Sequence, residues 1–338
     1  MMSKNLLYIG NKLSKHGSTL TSIDTLGKFF EIEGYKLYYA SSKKNKFLRM
    51  LDMFYKTIIY CNKVEYVLID VYSTQNFWYA FLISQSCRIL NLKYITKLHG
   101  GDLPNRLEKN PYLCNLIFKN SYKITAPSNY LMNVFSKKYT SNLIYIPNTI
   151  EINKYNFLKR EIHQPKLLWV RSFSNIYNPK MAIKVLSILK NDYPNASLTM
   201  VGPDKENLIT DCKLYTNELN LEVNFTGKLS KEEWIELSKN CNIFINTTHF
   251  DNTPISVIEA MALGLPIVST NVGGIPYLLK SEENALLTND DDAIEMANSI
   301  KKLTENPVLV NQLTTNARAI VEEFDWDKVK HRWFEILK

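Results

Sequence analysis

Residues 249–276 carry the strongest structural signal in the chain and read His249-Phe-Asp-Asn-Thr-Pro-Ile-Ser-Val-Ile-Glu-Ala-Met-Ala-Leu-Gly-Leu-Pro-Ile-Val-Ser-Thr-Asn-Val-Gly-Gly-Ile-Pro276. Two carboxylates, Asp251 and Glu259, stand eight residues apart in this run. Thr253-Pro254 between them fits a helix start, because Thr can cap a helix and Pro is tolerated in its first turn. The pattern predicts a helix that runs to about Leu263 and holds Glu259 in its second turn.

The run continues with a strand and a glycine turn. Gly264 and Pro266 end the helix, and residues 267–270 read as a short buried strand. Gly273-Gly274 then opens the next turn. This order of helix, strand and turn places backbone N–H groups and a carboxylate at one end of a parallel sheet, where such folds bind ligands.

Strand patterns recur through both halves of the chain, and helical patterns separate most of them. In the first half the predicted strands are Leu6–Ile9, Lys36–Ala40, Tyr66–Asp70, Lys93–Leu98, Lys123–Ala126 and Leu143–Ile146. In the second half they are Lys166–Val170, Ser197–Val201, Glu222–Phe225, Ile243–Asn246, Pro266–Thr270 and Ala285–Leu287. Strands that alternate with helices indicate parallel sheets with helices on both faces. At 338 residues the chain exceeds the usual size of one core, so we expect two α/β domains joined by a polar linker at 153–165.

Composition narrows the class of protein. Hydrophobic residues make up 45% of the chain, as in an ordinary globular protein. No apolar run approaches the roughly 18 residues of a membrane-spanning helix, and the first ten residues have too short an apolar stretch for a signal peptide. The five cysteines are scattered without a Cys-x-x-Cys pair, which indicates reduced thiols in a cytosolic protein and no metal centre.

The net charge of +8 indicates an anionic partner, which is a nucleic acid, a phosphate-rich substrate or an acidic membrane surface. No helix-turn-helix, zinc-finger or RNA-binding pattern appears, so nucleic acid is not expected. Residues 43–60 form a basic amphipathic stretch with apolar residues at helical spacing, namely Phe47, Met50, Leu51 and Phe54 among Lys43, Lys46, Arg49 and Lys56. Two interpretations stay open: a helix that lies on an anionic bilayer, or a surface helix that packs its apolar face on the sheet.

The run at 249–276 resembles the donor-binding segment of retaining glycosyltransferases of family 4, which have the GT-B fold. The family pattern is Glu, seven residues, Glu, then Ala-Met-Ala-x-Gly-x-Pro and a Gly-Gly turn, and here Asp251 stands at the first Glu. The resemblance covers nearly the whole chain and is sharp from 166 to 279. It implies that Glu259 binds the ribose hydroxyls of a nucleotide. It also implies that Asp251 and the segment after it face the donor sugar, a segment that consists of Asn252, Thr253, Pro254 and Ile255.

The same resemblance implies cationic contacts to the diphosphate of the donor. The family places an Arg and a Lys after the first strand of the second domain, and here Arg171 follows that strand while Lys180 starts the next helix. A Lys at a helix N-terminus opposes the helix dipole, which favours a ligand there. Turns after two further strands complete the expected donor pocket, at Gly202 and at Gly227-Lys228.

The first domain is expected to hold the acceptor. Leu98-His-Gly-Gly-Asp-Leu-Pro104 resembles the His-Gly-x-Asp segment of the family. Its polar residues at the end of a strand suit sugar hydroxyls, and they are His99, Gly100 and Asp102. In the loop after the first strand, His16 is a candidate acceptor contact, and Gly17 is a candidate for close approach of the backbone to the transferred sugar.

The resemblance implies two Rossmann-like parallel-sheet domains that face each other across a cleft. Residues 1–160 would bind the acceptor and 161–323 the nucleotide sugar, while a terminal helix at 324–338 would pack back on the first domain. The reaction would move a sugar from a UDP- or GDP-sugar to a glycan or lipid-linked saccharide, with retention and without a metal or other cofactor. Its catalytic residues would be Arg171, Lys180, Asp251 and His99.

The expected setting is bacterial surface polysaccharide or lipopolysaccharide synthesis, in the cytoplasm with peripheral contact to the inner face of the plasma membrane. Two alternatives stay open. One is a catalytically inactive GT-B subunit that binds a partner transferase, since Asp251 is one methylene shorter than Glu and the loop from Arg171 to Lys180 is longer than in the family. The other is a GT-B epimerase or phosphorylase, which product analysis would separate from a transferase.

Overall fold

The computed structural model describes residues 4–14 and 21–338. The chain divides into two compact units. The first unit comprises Met1–Thr149 together with Val329–Lys338, and the second comprises Ile150–Lys328. Each unit has its own sheet and its own hydrophobic core.

The sheet of the first unit is built from β1 (Asn5–Ile9), β2 (Lys36–Ala40), β3 (Tyr66–Val71), β4 (Lys93–Leu98), β5 (Lys123–Ala126) and β6 (Leu143–Tyr145). Over the described residues these six strands run parallel in the order β2-β1-β3-β4-β5-β6. The strand order reverses between β1 and β3. Every residue of β3 is buried, as expected for a parallel strand that is covered on both faces.

The helices of the first unit are α1 (Ser22–Ile32), α2 (Lys46–Tyr60), α3 (Phe77–Ile89), α4 (Leu103–Lys109), α5 (Pro111–Phe118) and α6 (Asn129–Phe135). The C-terminal helix of the chain contributes its end to this unit. There Trp333 is buried and meets the ring of Phe30 edge-on, with the ring centroids 5.5 Å apart.

The sheet of the second unit is built from β7 (Lys166–Val170), β8 (Ser197–Val201), β9 (Asn224–Gly227), β10 (Ile243–Asn246), β11 (Ile267–Thr270) and β12 (Leu286–Thr288). These strands run parallel in the order β12-β11-β10-β7-β8-β9. The order reverses between β7 and β10. In open α/β sheets, ligands bind in the crevice outside the carboxyl ends of the strands at such a reversal.

The helices of the second unit are α7 (Pro179–Leu189), α8 (Leu208–Glu218), α9 (Lys231–Ser238), α10 (Ile255–Ala262), α11 (Ile275–Leu278), α12 (Ala293–Glu305), α13 (Pro307–Glu322) and the start of α14 (Trp326–Ile336). Helix α10 is buried from Val257 to Ala262 and packs against α13. Its charged residue, Glu259, therefore lies in an apolar helix within the core.

The predicted α/β class with two parallel sheets is confirmed. The strand bounds agree with the prediction to within one residue at each end, except at β9. The predicted strand Glu222–Phe225 lies at Asn224–Gly227 instead. This strand is at the edge of the sheet, and its pairing with β8 shifts register at Met200 and Val201. An edge strand has one partner to fix its position, so the sequence pattern alone places it less well.

Two local expectations differ from the structure. Helix α10 begins at Ile255 with Pro254 in extended conformation at its N-cap, so Thr253 stands outside the helix and does not cap it. The segment 153–165, expected as a linker, packs on the second unit. Arg160 within it donates to the carbonyls of Ser238 and Cys241 at 3.1 and 2.8 Å.

Helix α2 turns most of its apolar side chains outward. Its buried residues are Arg49, Met53 and Thr57, and of the predicted apolar stripe Met50 alone packs against the core of the first unit. The exposed apolar side chains form what we term the α2 outer face: Phe47, Leu48, Leu51, Phe54, Tyr55, Ile58 and Ile59. Across the two described ranges of the chain, no helix is long and apolar enough to cross a membrane.

Candidate functional site

A charged pair lies at the strand-order reversal of the second sheet. Arg171 directly follows β7, and Asp251 lies in the loop after β10, the neighbouring strand. The Nη2 of Arg171 is 2.5 Å from Oδ2 of Asp251, and its Nε donates to Oδ1 of Asn246 at 3.2 Å. The two charged side chains keep 11% and 18% of their exposed surface. The crevice therefore holds a cation and an anion that are both within reach of solvent.

Close backbone packing holds this pair in place. A Cβ on Gly202 would come 1.7 Å from the carbonyl oxygen of Arg171, so only glycine lets the end of β8 approach so closely. On the other side, the N–H of Gly274 donates to the carbonyl of Asp251 at 2.8 Å. A Cβ on Gly273 would come 2.4 Å from that carbonyl oxygen. The Gly-Gly turn of the sequence thus serves to fix the Asp251 backbone.

Glu259 is the buried carboxylate of the site, with 4% of its surface exposed. The hydroxyl of Tyr155 donates to its Oε1 at 2.8 Å, and the ammonium of Lys231 lies 2.5 Å from the same oxygen. Burial, reinforced by the charge of Glu259, raises the pKa of Tyr155 far above its ordinary value, so the hydroxyl keeps its proton and donates. Both of these contacts engage Oε1 rather than Oε2.

The start of α10 adds backbone donors next to Asp251. The first hydrogen bond of the helix runs from the N–H of Ile258 to the carbonyl of Pro254. The preceding N–H groups at 255–257 belong to the helix start, which has no intrahelical partners for them. Such groups, together with the helix dipole, favour an anion. Near them Asn252 is buried and donates its N–H to Oδ1 of Asp251 at 2.7 Å, while Ile255 is exposed.

The remaining predicted donor residues lie around the ends of β8, β9 and the start of α7. The N–H of Gly202 donates to the carbonyl of Gly227 at 2.8 Å, which joins the two predicted glycine turns. Lys228 after them is exposed. Lys180 is also exposed, and its ammonium lies 6.0 Å from the ring centroid of Tyr215 on α8. The structure brings Arg171, Asp251 and Gly202 together, but it directs Lys180 towards α8.

The first unit has its own charged cluster, again at the strand-order reversal. His99 follows β4, and its Nε2 lies 2.8 Å from Oδ1 of Asp70 in β3. Asp70 is fully buried and also accepts from the hydroxyl of Tyr8 at 3.1 Å. Lys97, buried within β4, places its ammonium 3.4 Å from Nε2 of His99. The ring of Tyr72 stacks on His99 with the centroids 4.9 Å apart.

Burial and mutual charge set the protonation of this cluster. Burial, with Lys97 as a second cause, lowers the pKa of His99 below its ordinary value despite the carboxylate of Asp70. Burial also lowers the pKa of Lys97 to about 8. His99 is therefore neutral at pH 7, with Nε2–H donating to Asp70 and with Nδ1 as the acceptor.

The other predicted acceptor residues are placed differently. Asp102 is exposed and accepts from the side chain of Asn105 at 3.1 Å, so the carboxylate partner of His99 is Asp70. Gly100 has φ +82°, which glycine adopts without strain, and the nearest atom to an added Cβ is Oγ of Ser73 at 3.8 Å. His16 and Gly17 lie outside the described residues.

Sequence reasoning missed several residues that contact the predicted ones: Tyr155, Lys231, Asn246, Asp70 and Lys97. For two of them a signal was present. Asp70 and Lys97 are charged residues at buried positions of parallel strands, and a charge in a buried parallel strand needs a partner. Tyr155 carried no such signal, because it lies in a polar segment.

Comparison with protein families gives a match over the second unit. Residues 154–320, just under half of the chain, match the family model described as Glycosyl transferases group 1. The matched range contains Arg171, Asp251 and Glu259, so the site described above lies within it.

Similar proteins are named glycosyltransferases. An uncharacterized glycosyltransferase of Haemophilus influenzae is 28% identical over 201 residues, which cover 59% of this chain and 56% of that protein. The amylovoran biosynthesis glycosyltransferase AmsK of Erwinia amylovora is 26% identical over 287 residues, which cover 78% of this chain and 69% of that protein. The match thus spans little more than half the length of the first relative.

Solved structures share the fold. Sucrose-phosphate synthase from Thermosynechococcus elongatus superposes with a TM-score of 0.81 at 16% identity, over 99% of this chain and 98% of that chain. Anabaena HepE in complex with UDP gives a TM-score of 0.77 at 17% identity, over 99% of both chains. The fold is therefore the GT-B architecture of two Rossmann-like units. The second unit is therefore similar to the glycosyl transferases group 1 family, and the chain has relatives that are named glycosyltransferases.

Proposed function

We propose that this chain is a retaining, metal-independent glycosyltransferase of family 4. It transfers a sugar from a UDP-sugar to a glycan or lipid-linked saccharide in bacterial surface polysaccharide or lipopolysaccharide synthesis. The observation that carries the proposal is the Arg171–Asp251 pair at the crevice between β7 and β10, with Glu259 on the adjacent helix. A cation for a diphosphate and a carboxylate for a ribose occupy the edge where α/β sheets bind nucleotides.

The choice of UDP rests on the structural relatives. Anabaena HepE has been solved with UDP and with UDP-glucose, and the latter structure has a TM-score of 0.76 to this chain. A GDP-sugar stays as the alternative donor. The acceptor class rests on other relatives, which include the amylovoran biosynthesis enzyme and the lipopolysaccharide outer core galactosyltransferase WaaB.

The chemistry of the proposed site centres on the leaving group. As the bond from sugar to diphosphate breaks, negative charge builds on the β-phosphate. Arg171 and the N–H groups at the start of α10 are positive groups at this edge of the sheet, so they stabilise that charge without a metal ion. Asp251, which pairs with Arg171, faces the donor sugar. Retention follows when the acceptor hydroxyl attacks from the face that the phosphate leaves, with the phosphate accepting its proton.

In the first unit, His99 is the proposed contact for a sugar hydroxyl. Its neutral imidazole offers Nδ1 as an acceptor, while Asp70 holds the opposite nitrogen. A neutral His near pH 7 can accept a hydroxyl proton, which an imidazolium cannot.

Nucleotide release from a panel of sugar donors tests the proposal. UDP-, GDP-, ADP- and CMP-sugars are incubated with the protein in EDTA, and the released nucleotide is measured with and without lipid-linked acceptors. We expect release from a UDP-sugar, and we expect Glu259→Ala to abolish it because the ribose contact is lost. Glu305→Ala, an exposed carboxylate at the end of α12, serves as the matched control and keeps the wild-type rate.

The outcomes separate the alternatives. Release that requires a divalent metal contradicts the metal-independent mechanism, and release from GDP-sugars alone contradicts the choice of UDP. Tight nucleotide binding with no turnover for any donor and acceptor indicates the inactive subunit. Conversion of the sugar without an acceptor indicates an epimerase.

We further propose that the α2 outer face docks on an anionic bilayer, at the inner face of the plasma membrane. The face joins large apolar side chains to a set of lysines, with Phe47 62% and Tyr55 61% exposed. Lys43, Lys44 and Lys46 precede or start the helix and are exposed. Apolar side chains that enter the interface and lysines that meet anionic headgroups are the two attractions that hold an amphipathic helix on a membrane.

The neighbouring helix extends this surface. Lys46 contacts the side-chain oxygen of Gln75 at 2.7 Å, which places the start of α2 beside the turn that precedes α3. Trp78 in the first turn of α3 is half exposed. Trp is enriched at membrane–water interfaces, because its ring is amphipathic.

Vesicle sedimentation tests the membrane proposal. The protein is mixed with phosphatidylcholine vesicles that either contain or lack phosphatidylglycerol. We expect binding to the anionic vesicles that weakens with salt, and a drop of at least about tenfold in partitioning for the triple variant Phe47→Ser, Leu51→Ser, Phe54→Ser. The matched control replaces three exposed apolar residues elsewhere, Ile89, Ile294 and Val308. Equal loss in both variants, or equal binding to both vesicle types, contradicts the proposal.

A further inference from the structure

Tyr155 reaches Glu259 from a distant part of the sequence. The two residues are 104 positions apart, and the hydroxyl of Tyr155 donates to Oε1 of Glu259 at 2.8 Å. The Tyr155 side chain is almost fully buried in the core that surrounds α10. Its ring is held by packing, so the hydroxyl has a fixed position.

The backbone of Tyr155 is tied down as well. Its carbonyl accepts from Nη1 of Arg318 on α13 at 2.8 Å, and the same nitrogen donates to the carbonyl of Ala262 at the end of α10. Arg318 therefore links the Tyr155 segment to the helix that carries Glu259. The backbone segments that carry Tyr155 and Glu259 are therefore held together by Arg318.

Lys231 supplies the second contact to the same carboxylate oxygen. It is the first residue of α9, which begins with a capping box formed by Ser230 and Glu233. Its ammonium lies 2.5 Å from Oε1 of Glu259, and its side chain is about one-third exposed. Tyr155 thus contacts the carboxylate from the core, and Lys231 contacts it from the solvent side.

Two donors on one oxygen define the orientation of the carboxylate. The last torsion of a Glu side chain is broad and has no strong preference of its own, so hydrogen bonds decide where each oxygen points. With Oε1 occupied, Oε2 is the oxygen that keeps its acceptor capacity. The 2′ and 3′ hydroxyls of a ribose are two adjacent donors that such an oxygen can accept.

We infer that Tyr155 is a positioning residue for donor recognition: with Lys231 it fixes Glu259 so that Oε2 meets the ribose hydroxyls of the nucleotide. This inference rests on the proposed function, in which Glu259 binds the ribose. A phenylalanine at 155 fills the same space and lacks the hydroxyl, so it removes the positioning contact and keeps the packing.

Calorimetric titration with two nucleotides tests the inference. Wild-type protein and Tyr155→Phe are each titrated with UDP and with 2′,3′-dideoxy-UDP. For the wild type we expect UDP to bind about 10- to 100-fold more tightly, because hydrogen bonds to a carboxylate are strong. For Tyr155→Phe we expect that ratio to fall to about threefold or less through weaker UDP binding, with dideoxy-UDP unchanged. In turnover, KM for the donor rises and kcat stays.

Two further variants complete the design. Tyr139→Phe removes a buried tyrosine hydroxyl that donates to Asn115 at 2.8 Å in the first unit, and it keeps the wild-type ratio. Lys231→Met removes the second contact from a partly exposed position, so it folds even where a core variant fails, and it lowers the ratio in the same direction.

Each outcome of the titration is decisive. Wild-type ratios in both Tyr155→Phe and Lys231→Met overturn the positioning role while leaving the ribose contact intact. A wild type that binds UDP and dideoxy-UDP equally overturns the Glu259 ribose contact itself, and with it this inference. Equal weakening of both nucleotides in Tyr155→Phe shows a structural role alone and also overturns the inference.

Discussion

In the second unit, Arg171 and Asp251 meet in a crevice and keep 11% and 18% of their side-chain surface exposed. In the first unit, the side chain of Asp70 keeps none of its surface exposed. Its Oδ1 lies 2.8 Å from Nε2 of His99, and Lys97 is its register partner in the neighbouring strand. Both clusters stand at the reversal of the strand order of a parallel sheet. The Arg171–Asp251 pair is open enough to exchange partners with an anionic ligand. The cluster around Asp70 compensates its own charges inside the fold.

Because the two clusters differ in burial, we expect them to have different roles. The Arg171–Asp251 pair keeps part of its surface in contact with solvent, so a ligand can reach Arg171. A buried charge group loses a large hydration energy and becomes costly as soon as one partner is removed. Asp70 and Lys97 therefore set the protonation and orientation of His99, and the fold depends on them.

The largest effect is expected at the open cluster. Arg171→Ala should lower turnover by about 100- to 1,000-fold, because it removes the cation aimed at the leaving phosphate. Arg171→Lys should recover part of the loss, since it keeps the charge but not the planar fork that binds phosphate at two points. Initial rates with saturating UDP-sugar measure both.

Arg88→Ala is the matched control, because Arg88 is an exposed arginine of the first unit with a side-chain partner, Gln85. Its rate should equal the wild type. Turnover in Arg171→Ala within about threefold of the wild type would mean that the open cluster does not act on the leaving group.

The buried cluster should show its effect in stability. Asp70→Asn should lower the unfolding free energy by about 3 kcal/mol at pH 7, since it leaves Lys97 without its countercharge in the core. Urea titration measures this change. Asp102→Asn, the exposed aspartate of the same region, should stay within about 0.5 kcal/mol of the wild type. Equal stability of Asp70→Asn and Asp102→Asn would contradict the structural role of the buried cluster.

A smaller, pH-dependent effect is expected from Lys97. Its pKa is lowered to about 8 in the folded chain, against about 10.4 in the unfolded chain. Between these values the unfolded chain binds more protons, so the contribution of Lys97 to the unfolding free energy rises with pH. Between about pH 8 and 9.5, the unfolding free energy of the wild type should therefore rise by about 1.5 kcal/mol more than that of Lys97→Met.

The comparison of the two proteins isolates Lys97, because every other titrating group, including the buried thiols, is present in both. The titratable neighbours of Lys97 are Asp70 and His99, and both stay in the variant. Lys28→Met, at an exposed lysine of α1, should track the wild type across the same range. A constant difference between wild type and Lys97→Met would show that Lys97 is not perturbed by burial.

Much of the fold was predictable because buried parallel strands appear in the sequence as short apolar runs. β3, for instance, is a run of buried residues that turn signals bound on both sides, and its predicted end differs from the observed one by one residue. The direction of α2 was not predictable in the same way. Amphipathic spacing reveals that a helix has two faces, but the core decides which one it covers, and here it covers Arg49, Met53 and Thr57.

The candidate site divides along the same line. Arg171, Asp251 and Glu259 were identified from a local motif, and the structure places the first two in contact. Tyr155 was not identified, because its partner is 104 residues away. It also lies in a polar segment, where the sequence pattern does not predict a buried side chain. Asp70 was assigned only as the end of a strand. A carboxylate in a buried strand needs a polar or charged partner, so the sequence already indicated that Asp70 has one.

A crystal structure of the chain with bound UDP tests the central claim most directly, namely that the crevice between β7 and β10 is the nucleotide site. We predict the diphosphate at Arg171 and the start of α10, with the ribose hydroxyls on Oε2 of Glu259. UDP bound elsewhere on the second unit, with Arg171 still paired to Asp251 and no ligand near Glu259, would contradict it.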